Sequence, residues 1–161
     1  MQPTSTSILI IDDCAPIAEI IASHLGAAGY RTRVARDGTE AQRLLTETPP
    51  DCIVLDLMMP GMSGAEFLHG LRRDPATADI PVVLVSARIG HHGTHFRSQM
   101  DADYSVGKPF TRQQLVKAVR TALARKQGHD EEAPLPMPPP TRLDARARIA
   151  AKLGLAGFSA H

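Results

Sequence analysis

VLDLMMPGMSG, Val54 to Gly64, is the stretch from which the rest of this chain is read. An apolar run delivers one carboxylate, Asp56, and the chain then breaks at Pro60-Gly61. A charge at the end of a buried strand is costly unless an opposite charge or a cation answers it. The stretch therefore implies partners elsewhere in the chain, and a fold that brings them to one edge.

Similar runs flank it. Ile8–Ile11 (ILII) ends in Asp12 and Asp13, Val82–Val85 (VVLV) ends at Ser86, and Tyr104–Val106 ends just before Lys108. Short apolar runs bounded by polar residues suit strands buried on both faces. Cys52–Leu55 and the alternating Tyr30, Thr32 and Val34 bring the expected strands to five. Helical spacing fills the gaps. Pro16 suits a first helical turn, and Ile17, Ile20, Ile21, Leu25 and Ala28 recur on one face until Gly29. Asp37-Gly38 reads as a turn before a short helix carrying Ala41, Leu44 and Leu45, stopped by Pro49-Pro50. Ala65, Phe67, Leu68 and Leu71 predict a third helix ending near Asp74-Pro75. A weak fourth is expected after Ser86, where Gly90 and Gly93 interrupt IGHHGTHFRSQM. Thr111 and Gln114 have capping-box spacing at the start of a fifth, which carries Leu115, Val119, Ala122 and Leu123. Alternating strands and helices predict an α/β fold, a parallel sheet with helices on both faces and function at the carboxyl ends of its strands.

Composition narrows the classes. The chain has 161 residues and a formal net charge of +1, so no global field selects nucleic acid or an acidic surface. Tryptophan is absent, which makes the core aliphatic. The run Ile8–Ile11 is too short, and too soon followed by two aspartates, for a signal peptide or a membrane span. Cys14 and Cys52 form neither a C-x-x-C pair nor a zinc spacing, and read as reduced thiols of a cytoplasmic protein. Residues 1–127 are expected to form one domain and 128–141, acidic and then proline-rich, an extended linker. Residues 142–161 read as a short basic helix or tail with Arg142, Arg146, Arg148 and Lys152. His91, His92 and His95 have helical spacing, but the neighbouring glycines loosen the helix that would align them. They read as solvated or partner-facing, not as a metal site.

On this map Asp12, Asp13, Asp56, Ser86 and Lys108 converge at the carboxyl edge of the sheet. Three carboxylates repel one another, and are tolerable around a divalent cation; Mg²⁺, hard and oxygen-seeking, is the natural choice. Lys108 adds a second positive charge and Ser86 a hydroxyl donor. Carboxylates, Mg²⁺, lysine and hydroxyl together suit a phosphoryl group in transit.

IDD (Ile11–Asp13), LDLMMPGMSG (Leu55–Gly64), SA (Ser86–Ala87) and KPF (Lys108–Phe110), in that order, resemble the receiver domains of two-component response regulators, over roughly residues 7–126. The resemblance implies a CheY-like receiver: a flavodoxin-like, doubly wound (βα)5 fold with strand order 2-1-3-4-5. A stand-alone type is expected because the residues after 126 are too few for a typical effector domain. The resemblance also implies phosphoryl transfer to Asp56 from a sensor histidine kinase or a histidine phosphotransfer protein. Mg²⁺ would be placed by Asp12, Asp13, Asp56 and the backbone carbonyl of Met58. Ser86 would turn toward the phosphoryl group, Lys108 would contact it, and the bond to Pro109 would be cis. Output would run through protein contacts, on the face of the fourth helix, fifth strand and fifth helix or through the C-terminal tail. No membrane, no specific nucleic acid and no turnover beyond self-phosphorylation and autodephosphorylation is expected. One position departs. The family usually has an aromatic three residues before the lysine, and here that residue is Ser105. Tyr104, its neighbour, points to the other face by strand alternation. Ser105 is thus an atypical switch position, and phosphorylation is expected to signal by ordering residues 88–105 instead of moving a ring. The alternative is a small Mg²⁺-dependent phosphohydrolase with Asp56 as nucleophile. Such enzymes typically carry a second aspartate two residues on; here that residue is Met58, which argues against turnover.

Overall fold

A computed structural model of the chain describes residues 5–87 and 102–126. Five strands, β1 (Ser7–Ile11), β2 (Arg31–Ala35), β3 (Cys52–Asp56), β4 (Val82–Ser86) and β5 (Tyr104–Gly107), form one sheet in the order β2-β1-β3-β4-β5. Every neighbouring pair is parallel. Four helices are described: α1 (Ala15–Ala27), α2 (Gly38–Glu47), α3 (Gly64–Arg73) and α4 (Arg112–Lys126).

The continuous apolar runs are explained by two cores, one on each face of the sheet. Successive strand residues point to opposite faces. Ile8 and Ile10 accordingly join Ala18, Ile21 and Leu25 of α1 and Leu115, Val119 and Ala122 of α4. Leu9 and Ile11 join Ala41 and Leu45 of α2 and Phe67, Leu68 and Leu71 of α3. Val54 and Leu55 divide in the same way, as do Val83 and Leu84. Truncating a side chain as large and as buried as Phe67 to alanine is expected to cost about 3–5 kcal/mol.

Helix starts follow local chemistry. Asp37, read from sequence as part of a turn, is the N-cap of α2: its carboxylate accepts the Glu40 N–H at 2.7 Å, and Gly38 is already helical. A cap and a turn both need a short polar side chain beside a flexible residue, so the sequence did not separate them. Ser63 and Glu66 close a reciprocal capping box on α3. Thr111 and Gln114 do the same ahead of α4, at 2.9 and 3.2 Å, as their spacing predicts. β3 and β4 each run one residue beyond their apolar stretch, so Asp56 and Ser86 lie within the strands.

At the amino edge of the sheet a polar knot ties several elements together. Asp103 Oδ2 accepts from the Val82 N–H at 2.8 Å and from Arg72 at 3.0 Å. Arg72 also donates to the carbonyls of Ala78 and Ile80 at 2.9 and 2.7 Å, and Arg125 of α4 donates to the Asp103 carbonyl at 2.7 Å. The expected weak fourth helix, the histidines at 91, 92 and 95, the linker and the basic tail lie outside the described residues. Among the described residues, no helix is long and apolar enough to cross a membrane.

Candidate functional site: a carboxylate cluster at the sheet's switch point

The sheet grows from β1 to β2 on one side and from β1 through β3, β4 and β5 on the other. The chain's connections therefore part above β1 and β3, leaving a crevice at their carboxyl ends. Asp12 follows β1 and Asp56 closes β3, so the topology itself places both carboxylates there. Asp12, Asp13 and Asp56 each present an oxygen, all within 4.8 Å of one another. Asp12 and Asp56 are buried, at 1% and 4% exposure, while Asp13 faces solvent.

Each buried acid is held from its own turn. Asp12 Oδ1 accepts the Cys14 N–H at 2.9 Å, and Asp56 Oδ1 accepts the Met58 N–H at 3.2 Å. Lys108 reaches both from across the sheet: its Nζ lies 3.5 Å from Asp12 Oδ2 and 3.6 Å from Asp56 Oδ1. The lysine is itself located by strand pairing, because its N–H donates to the Ser86 carbonyl at 3.1 Å, one step past the Ser86–Gly107 register. The Lys108–Pro109 peptide bond is cis.

Among the described residues three carboxylates cluster here, and one ammonium pairs with two of them, which leaves an excess of negative charge. Burial pushes the Asp56 carboxyl above the ordinary aspartate value; Asp12 and Asp13 push it further, while the Met58 N–H and Lys108 pull the other way. The donor set is all oxygen, compact and under-neutralised, which fits a hard divalent cation that retains some of its water.

Ser86 is fully buried at the end of β4, with Val85 paired to Asp56 on the neighbouring strand. Ser105 pairs with Leu84, so it shares the face of Ser86 one alternation step further from the carboxylates. Tyr104 pairs with Val83 and packs on the α1–α4 side, the face opposite Ser105. The Met58 side chain is 55% exposed, and its backbone N–H is what touches Asp56. Cys14 is exposed at the N-cap of α1, where its side chain makes no cap hydrogen bond. Cys52 is buried, and burial together with the charge of Asp103 pushes its thiol up to about 12. Sequence reasoning missed the place of Gly64. Its N–H donates to the Leu57 carbonyl at 3.1 Å, and a Cβ added to it would run into the backbone of Asp56 and Leu57.

Residues 8–120 match the family model described as the response regulator receiver domain. The chain is 38% identical over 129 residues to the phosphate regulon transcriptional regulatory protein PhoB of Pseudomonas aeruginosa, covering 80% of this chain and 56% of that protein. The signal receiver domain of a signal transduction histidine kinase from Syntrophus aciditrophicus superposes with a TM-score of 0.69 at 30% identity. That match covers 83% of this chain and all of the other. The chemotaxis protein CheY4 of Vibrio cholerae superposes with a TM-score of 0.68 at 25% identity, covering 74% and 99%. The chain thus belongs to the response regulator receiver family, with the acidic cluster of that class at its switch point. It spans about half the length of the curated relatives it matches.

Proposed function

We propose that Asp56 accepts a phosphoryl group from a sensor histidine kinase or a histidine phosphotransfer protein in the cytoplasm, and that the resulting acyl phosphate signals through protein contacts. The observation that carries this reading is the placement of Asp56. It is a buried carboxylate at a strand end, with two further acids in its cluster and one lysine 3.6 Å away.

In the proposed step an Asp56 oxygen attacks phosphorus and the P–N bond to the donor imidazole breaks. The departing imidazole takes up a proton, and the acyl phosphate remains. The Met58 N–H, already on Oδ1, orients the carboxylate and leaves Oδ2 for attack. Lys108 faces the charge carried by the phosphoryl oxygens. Ser86, buried at the end of the adjacent strand, supplies a hydroxyl that can donate to a phosphoryl oxygen and report its presence. Asp12, Asp13, Asp56 and the Met58 carbonyl are the groups that would hold Mg²⁺, whose charge would offset that of the carboxylates and the incoming phosphoryl group. Ser105 occupies the position from which read-out would start, on the face shared with Ser86. Slower hydrogen exchange across residues 88–105 in the phosphorylated protein is the expected sign of ordering there; equal protection in the two states would remove that part of the proposal.

The decisive experiment is incubation with acetyl phosphate and Mg²⁺, read by intact mass. Wild type is expected to gain one phosphoryl adduct and Asp56→Ala none. A label of equal extent on Asp56→Ala would overturn the assignment, and sustained multiple turnover would favour a phosphohydrolase.

A further inference from the structure

The acceptor turn contains two glycines, and they are glycine for different reasons. Gly61 has φ +86, a left-handed conformation that side chains disfavour, with nothing within 4 Å of where a Cβ would stand. Gly64 is glycine for lack of room. A Cβ there would lie 2.7 Å from Leu57 Cα and 3.0 Å from the Asp56 carbonyl carbon, and closer still to the Asp56 carbonyl oxygen. All three are backbone atoms, which cannot rotate aside as the end of a side chain can. By contrast, the tightest neighbour of a Cβ at Gly38 would be the Met62 sulfur at 2.8 Å, the far part of a flexible side chain.

The same residue also fastens the turn. Gly64 N–H donates to the Leu57 carbonyl, and the Ser63–Glu66 box fixes the first turn of α3. The segment from Asp56 to Gly64 is therefore a loop whose neck is closed by backbone against backbone. The Asp56 peptide lies between β3, paired to β4, and the first residue of α3.

We propose that Gly64 is a positioning residue for the phosphoacceptor: the absence of its side chain lets α3 seat against the Asp56–Leu57 peptide and fixes the carboxylate relative to Lys108 and the other acids. A methyl group at 64 would displace either α3 or the acceptor peptide, and the Met58 N–H that orients Oδ1 lies on the displaced side. This rests on the reading of Asp56 as phosphoacceptor.

The test compares wild type, Gly64→Ala and Gly70→Ala. Gly70 lies in the same helix with nothing within 4 Å of its Cβ position, so its variant adds the same methyl without the collision. Labelling is followed over a range of acetyl phosphate concentrations with saturating Mg²⁺, and the amide resonance of Met58 is recorded in each protein. Gly64→Ala is expected to lower the maximal labelling rate at least tenfold, with little change in the half-saturating donor concentration, and to shift the Met58 amide. Gly70→Ala is expected to match wild type in both. No labelling of wild type defeats the phosphoacceptor reading itself. A folded Gly64→Ala labelled at the wild-type rate defeats only the role of Gly64. Should Gly64→Ala fail to fold, amide exchange in wild type decides. Protection of the Gly64 N–H equal to that of Val54 in β3 supports a closed neck, and fast local exchange at Gly64 overturns it.

Discussion

At the amino edge of the sheet Asp103 holds Arg72 at 3.0 Å and, through its carbonyl, Arg125 at 2.7 Å. At the carboxyl edge Asp12 and Asp56 share one lysine, at 3.5 and 3.6 Å, with Asp13 close by. Both edges join segments distant in the chain. The first is saturated with short hydrogen bonds and ties α3, β4, β5 and α4 into one body. Among the described residues the second has more acids than cations, looser contacts and a buried carboxyl displaced upward in pKa. A satisfied polar knot adds rigidity, while an under-neutralised one is ready to receive charge. The second, unlike the first, lies at the sheet's switch point.

The largest effect expected from breaking this contrast lies at the satisfied edge. Arg72→Ala removes donors to Asp103, Ala78 and Ile80. It should cost roughly 2–3 kcal/mol in urea unfolding, less than a fully buried pair because Asp103 stays partly in water. Labelling of Asp56 should persist wherever the variant is folded; its loss in a folded protein would mean that the two edges are coupled. At the other edge Asp13→Asn should stabilise the metal-free protein, by up to about 1 kcal/mol, by relieving repulsion. It should also weaken the rise in melting temperature that Mg²⁺ produces in wild type. Destabilisation in the absence of metal would contradict the excess-charge description.

A smaller effect concerns pH. The folded Asp56 carboxyl binds its proton more tightly than the unfolded one, whose pKa is about 3.9. Between those two values the folded state holds more protons, so its contribution to stability falls as pH rises and stays low above the folded value. In chelator, the stability gained by Asp56→Asn over wild type should therefore grow from acid pH upward and then level off. A difference independent of pH would show that burial does not act on this group as described. The smallest effect is on reactivity alone. Cys14 should take up a thiol reagent in the native protein, while Cys52, buried and with its thiol pushed up to about 12, should react only on unfolding.

Much of this is legible in the sequence, for a definite reason. Apolar runs announce buried strands, and whatever ends such a run stands at the sheet's edge. Asp12, Asp13, Asp56, Ser86 and Lys108 are therefore visible without coordinates. The Thr111–Gln114 box is visible too, because capping is local. Arg72 and Asp103 are not, since they meet across 31 residues and neither belongs to a periodic pattern. Gly64 is hidden for another reason: a sequence shows that a residue is small but not which atoms press against it. Asp37 shows the limit of local chemistry, because turns and N-caps ask for the same residue types.

The ion pair between Lys108 and Asp12 spans 96 positions of the chain. A nascent protein in which Asp56 has emerged but Lys108 has not holds the acceptor without the cation that faces it. Completeness of the site thus certifies that β1, β3 and β5 have all been made and brought into place. A donor that needs the complete site would thereby be kept from marking unfinished copies.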